Sequence, residues 1–179
     1  MSYPVPEKAN ILITGTPGTG KSVLCQNLSE LTNMNCINIG ELVATKELHC
    51  GRDENRDCWI IDDDKVCDEL EDIMVKGNNI IDHHGCDFFP ERWFHLIIVL
   101  RTKTEVLYER LEARNYHTEK IRENMQAEIM QVILENARES YDVNIIVELP
   151  SNTIEDMESN VQRIVQWLKL YNENNNITS

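Results

Sequence analysis

Apolar residues in this chain fall into short continuous runs, separated by longer stretches in which they recur every three or four positions. The runs at residues 11–14, 36–39, 79–82, 95–100 and 144–148 predict strands. His95 to Leu100 reads HLIIVL without alternation, as expected of a strand buried on both faces. Helical spacing is predicted over residues 22–31, where Val23, Leu24 and Leu28 are the apolar positions, and over 104–114 and 119–140. A last amphipathic helix over 154–171 places Ile154, Met157, Val161, Ile164, Val165 and Leu168 on one side. Residues 41–76 are dense in charge and are read as a largely helical flap over the sheet edge. Residues 172–179 are polar and predicted to fray.

Strands that alternate with helices predict an α/β fold: a parallel sheet with helices on both faces, in three layers. The length, 179 residues, fits one domain. Ligands of such sheets sit at the C-terminal ends of strands, where Gly15, Asp82, Arg101 and Leu149 fall.

The first strand runs into Gly15-Thr16-Pro17-Gly18-Thr19-Gly20-Lys21-Ser22, a full match to GxxxxGK[ST] in its strand–loop–helix setting. Glycines let successive backbone N–H groups turn inward, where they and the helix N-terminus attract phosphate oxygens. Lys21 is assigned to the β- and γ-phosphates of a nucleoside triphosphate, and the Ser22 hydroxyl to Mg²⁺. Asp82, at the tip of the third predicted strand, is the second candidate for Mg²⁺. His84, two residues on, is a candidate for orienting a water or touching a phosphate. Arg110 and Arg114 share a helix face and are candidates for neutralising the transferring group.

Composition narrows the partners. A net charge of −14 argues against broad nucleic-acid binding and suits a basic protein partner. No apolar run approaches the roughly 20 residues of a membrane span, so no membrane role is expected. The six cysteines contain no CxxC pair and are read as reduced thiols rather than zinc ligands, with His83-His84-Gly85-Cys86 the nearest approach to a ligand cluster. The chain is read as a monomer.

Five segments together resemble a known family: the phosphate loop, Asn38-Ile39-Gly40-Glu41-Leu42, the stretch from Asp82 to Phe94 containing HGCDFFPERWF, Val106 to Leu111, and Leu149-Pro150-Ser151-Asn152. They are similar to the adenylate kinase isoenzyme 6 family, the coilin-interacting nuclear ATPases. The resemblance covers about residues 10–168. It implies a phosphate-loop NTPase fold of adenylate-kinase type, with a five-stranded parallel sheet and a short lid. The implied reaction is ATP + AMP to two ADP with Mg²⁺, beside ATP hydrolysis. It also implies a role in small ribosomal subunit biogenesis and 18S rRNA maturation, on pre-ribosomal particles and with a small-subunit ribosomal protein, in nucleus and cytoplasm.

Carried over by position, Gly15, Gly18, Thr19, Gly20, Lys21, Ser22, Val23 and Arg114 bind ATP. A nucleoside-monophosphate flap covers residues 38–61 and a lid 113–123. Lys21, Asp82, His84 and Arg114 form the catalytic set. Two positions depart from the family pattern. Val23 stands where Thr is expected, and Ala44 stands where an Arg would hold the AMP phosphate. Gly40, Lys46 and Arg92 are the remaining candidates for AMP. Three readings follow: a kinase acting on AMP, an ATPase switch in ribosome assembly with incidental kinase activity, and a non-catalytic ATP-binding module.

Overall fold

The computed structural model describes residues 2–177. Its main sheet has five parallel strands in the order β2-β5-β1-β6-β7: β1 Ile11–Gly15, β2 Asn35–Asn38, β5 Asn79–Asp82, β6 Leu96–Arg101 and β7 Ile146–Pro150. Seven α-helices accompany it among the described residues: α1 Lys21–Thr32, α2 Ile39–Lys46, α3 Asp63–Lys76, α4 Thr104–Ala113, α5 Thr118–Ile129, α6 Val132–Ser140 and α7 Ile154–Asn174. A separate antiparallel hairpin joins β3 His49–Asp53 to β4 Cys58–Ile61.

Successive strand side chains point to opposite faces, so the central strand feeds two cores. Leu12 packs with Ile81, Ile97, Val99 and the Val66-Leu70-Met74 stripe of α3, with Leu134 and Ala137 of α6 completing that layer. Ile11 and Ile13 go the other way, against Leu24 and Leu28 of α1 and Val161, Ile164 and Leu168 of α7. These are the three layers expected from the pattern. The helices over 104–114 and 154–171 are also found, the second extended to Asn174, so part of the stretch expected to fray is helical; residues 178 and 179 lie outside the described residues.

Three expectations are corrected. The segment 41–76 is not one helical flap: α2, the β3–β4 hairpin and α3 divide it. Its charge hides an amphipathic helix, because Val66, Leu70 and Met74 recur at helical spacing among acids that face solvent. The helix over 119–140 is broken in two at Gln131, whose φ of 56° is left-handed and cannot continue an α-helix. Cys25 and Cys36 are not both free thiols. They form a disulfide between α1 and β2, with Cα atoms 6.1 Å apart; Cys50, Cys58, Cys67 and Cys86 are free. Packing of β2 beside the first turns of α1 supplies that proximity, which separation in sequence does not reveal.

Candidate functional site

The turn after β1 is built by backbone rather than side chains. Gly15 has φ +147°, and a Cβ there would lie 2.8 Å from the Leu100 carbonyl and from Thr19 Oγ1. Gly20, at φ +93°, caps α1 in a left-handed conformation, leaving the first N–H groups of the helix facing the loop. The loop is fastened from behind. Thr19 Oγ1 donates to the Thr16 carbonyl at 2.8 Å, and Ser151 Oγ donates to the Thr19 carbonyl at 2.6 Å.

Lys21 Nζ lies in this turn, donating to the carbonyls of Gly15 and Thr16 at 3.0 and 3.2 Å. Burial lowers its pKa to about 8; Arg114 pushes the same way, while Asp82 and Glu128 oppose it. One helical residue on, Ser22 Oγ donates to Asp82 Oδ2 at 2.7 Å. Asn38 Nδ2 donates to the same oxygen at 2.9 Å, while Asn38 Oδ1 accepts from the Glu41 N–H and so caps α2. A hydroxyl and a carboxylate placed together, with hard oxygen donors, suit Mg²⁺.

These groups line one cleft of about 260 Å³ with Pro17, Gly40, Val43, Trp59, Ile61, His83, His84 and Arg114. Arg114 follows directly after α4 and reaches the cleft; Arg110, one turn earlier, does not line it. Arg110 instead donates to the carbonyls of Ser151 at 2.9 Å and of Gly18 and Asn152 at 3.3 Å. It fixes the loop and is not aimed at the cleft, which corrects the expectation for Arg110. The His84 ring reaches solvent in the cleft, yet the protein packed around it, and then Lys21, hold its pKa down to about 4. His83 is buried and lowered further. Both imidazoles are neutral at ordinary pH.

Of the three residues considered for the AMP phosphate, only Gly40 lines this cleft. Lys46 turns outward to Glu69. Arg92 pairs with Glu71 at 2.8 Å and stacks over Tyr3 at 4.8 Å. Both cations are thus held by other partners. Val23 lies on α1, 56% exposed, and does not line the cleft.

One important residue gave no motif signal. Glu128, on α5, is buried and accepts from Thr16 Oγ1 at 2.5 Å, Arg101 Nε at 2.6 Å and the Thr102 N–H at 3.1 Å. It ties the phosphate loop to the end of β6 and to the helix behind the lid turn. Arg56, in the turn of the hairpin, lies 3.6 Å from Glu123 of α5, and both line a neighbouring cavity with His84 and Tyr116.

Sheet order, phosphate loop and the Ser22–Asp82 pair define a phosphate-loop nucleotide-binding fold. The family model described as an AAA domain matches residues 11–131. Relatives named adenylate kinase isoenzyme 6 homologue are similar over nearly the whole chain. That of Dictyostelium discoideum is 57% identical over 94% of this chain and 97% of its own. That of Schizosaccharomyces pombe is 51% identical over 94% and 96%, and that of Drosophila melanogaster 41% over 96% and 98%. The chain belongs to the adenylate kinase isoenzyme 6 family of nucleotide kinases. Among solved structures, a shikimate kinase from Bacteroides thetaiotaomicron superposes with TM-score 0.60 at 19% identity, covering 90% of this chain and 98% of that one. At that identity the likeness concerns the fold alone.

Proposed function

We propose that this chain transfers the γ-phosphate of ATP to AMP, giving two ADP. The observation that carries the reading is the Ser22–Asp82 contact inside a cleft shared by Lys21, Arg114 and the flap. An AMP phosphate oxygen is already anionic, so in-line attack needs no general base. Lys21 and Arg114 supply positive charge where the transferring group becomes more negative. Ser22 and Asp82 would hold Mg²⁺, which when bound neutralises phosphate oxygens as a Lewis acid. The hairpin and α2 roof the cleft and limit water as a competing acceptor. His84, being neutral, serves as a hydrogen-bond partner rather than as a charge.

One observation favours a second reading, an ATPase switch with incidental kinase activity. Ala44 stands where the family pattern has Arg, and no flap residue lining the cleft is cationic. Water then has less competition from AMP. In this reading hydrolysis changes affinity for a protein partner during small ribosomal subunit maturation, in nucleus and cytoplasm, as the family resemblance implies. A net charge of −14 suits a basic ribosomal partner.

Incubating the pure chain with ATP and Mg²⁺, with and without AMP, and measuring ADP and free phosphate separates the two. AMP-dependent ADP with little phosphate is the expected result. Phosphate release that AMP does not alter would overturn transfer to AMP as the main activity.

A further inference from the structure

The cleft has two chemically different ends. Lys21, Ser22, Asp82 and Arg114 make one end charged. The facing wall belongs to the flap, with Gly40 and Val43 from α2 and Trp59 and Ile61 from β4. Side chains alternate along a strand, so Trp59 and Ile61 share a face. Cys58, the residue before Trp59, has the opposite orientation and lines a neighbouring cavity with Thr16, Pro17 and Arg56.

Trp59 is 39% exposed, whereas Trp93 is fully buried in the core. Its indole is held in place all the same. The His49 ring stacks on it, centroids 3.9 Å apart and planes 18° from parallel. Arg52, directly opposite in the hairpin, places its guanidinium carbon 5.4 Å from the ring centre. The indole is therefore fixed in orientation at the wall of a cleft that Lys21 and Arg114 also line. A ligand with a phosphate at one end and a planar ring system at the other matches both ends.

We infer that Trp59 is the surface against which the base of the acceptor nucleotide packs, and that it makes the site prefer purine over pyrimidine monophosphates. The inference rests on the reading that a nucleoside monophosphate is the acceptor. Every base has a π-face, but a bicyclic purine covers more of an indole than a pyrimidine does. Contacts of this kind change affinity roughly 5- to 100-fold on removal. The remainder of the flap wall is small or aliphatic apart from Asn38, whose amide is bonded to Asp82 and Glu41, and Lys46 and Arg92 are held elsewhere, so the indole is the largest contact surface on this wall.

The test titrates the full chain with AMP and with CMP while following tryptophan emission, using Trp59→Phe to subtract Trp93 and Trp167. Phosphorylation of both nucleotides is then measured in wild type, Trp59→Phe and Trp59→Leu. AMP should quench the Trp59 emission, and CMP should do so only at higher concentration. The ratio of the CMP to the AMP KM should fall about tenfold in Trp59→Leu and be largely kept in Trp59→Phe, a pattern that simple loosening of the flap would not produce. AMP binding that leaves Trp59 emission unchanged, or an unaltered KM ratio in Trp59→Leu, would overturn the assignment while leaving transfer to AMP intact. Quenching by AMP without ADP formation would uphold the Trp59 contact and reject AMP as acceptor. If AMP neither quenches nor accepts phosphate, both fail.

Discussion

Ser22 and Asp82, 60 residues apart in sequence, meet through a 2.7 Å hydrogen bond at the mouth of the sheet. The contact follows from topology: β1 and β5 are parallel neighbours, so the turn after one lies beside the tip of the other. It unites the two oxygen groups suited to Mg²⁺. Asp82→Asn keeps the shape and removes the charge. Its kcat with Mg²⁺ and ATP should fall a hundredfold or more, since a bound metal is worth several kcal/mol in the transition state. Steady-state kinetics check this, and a variant within tenfold of wild type would remove Asp82 from the metal site.

The lowered pKa of Lys21, about 8, sets the sign of a pH effect. Below that value Lys21 is charged and attracts phosphate; above it the free protein loses the charge. We expect kcat/KM for ATP to be flat through neutral pH and to fall as pH rises through about 8. His84, held near 4, remains neutral over most of the same range and contributes no inflection of its own near 6.5. A pH–rate profile between 5 and 10 distinguishes these outcomes.

Glu128 should matter for stability more than any surface acid. Glu128→Ala leaves Arg101 partly buried without its 2.6 Å partner and releases Thr16 of the phosphate loop. Breaking such a pair costs about 3 kcal/mol or more. Urea denaturation should show that loss, and the thermal midpoint should drop by roughly 6–12 °C. A cost below about 1 kcal/mol would mean that Glu148, 3.4 Å from Arg101, takes over the pairing.

Lys46 and Ala44 give a paired prediction. Lys46 is exposed and bound to Glu69, so Lys46→Ala should change the AMP KM less than about twofold and stability by less than about 1 kcal/mol. Ala44→Arg restores the family's cation and should lower the AMP KM. A large effect of Lys46→Ala would place that amine on the acceptor phosphate after all.

Legibility differed by the kind of signal involved. The loop from Gly15 to Ser22 and the strand HLIIVL are local patterns, and both stand in the structure where the pattern puts them. Val66, Leu70 and Met74 recur at helical spacing, but that stripe goes unread in the sequence because the surrounding acids mask it. Asn38 sits beside a predicted strand and flap; its cap on α2 and its bond to Asp82 emerge only once α2 starts at Ile39 and β2 lies beside β5. Glu128 had no signal, because its partners Thr16, Arg101 and Thr102 are brought to it only by the packing of α5 against the phosphate loop and the end of β6. Arg110 and Arg114 share a helix face in sequence, and only the path of the 151–152 loop decides that one clamps backbone while the other reaches the cleft.

Following the label is the most direct measurement of phosphate transfer in this cleft. ATP carrying radioactive γ-phosphate is incubated with Mg²⁺, unlabelled AMP and the protein, alongside Lys21→Ala. Label arriving in ADP, and lost in Lys21→Ala, is the expected result. Label arriving only in free phosphate, at a rate AMP does not change, would contradict it.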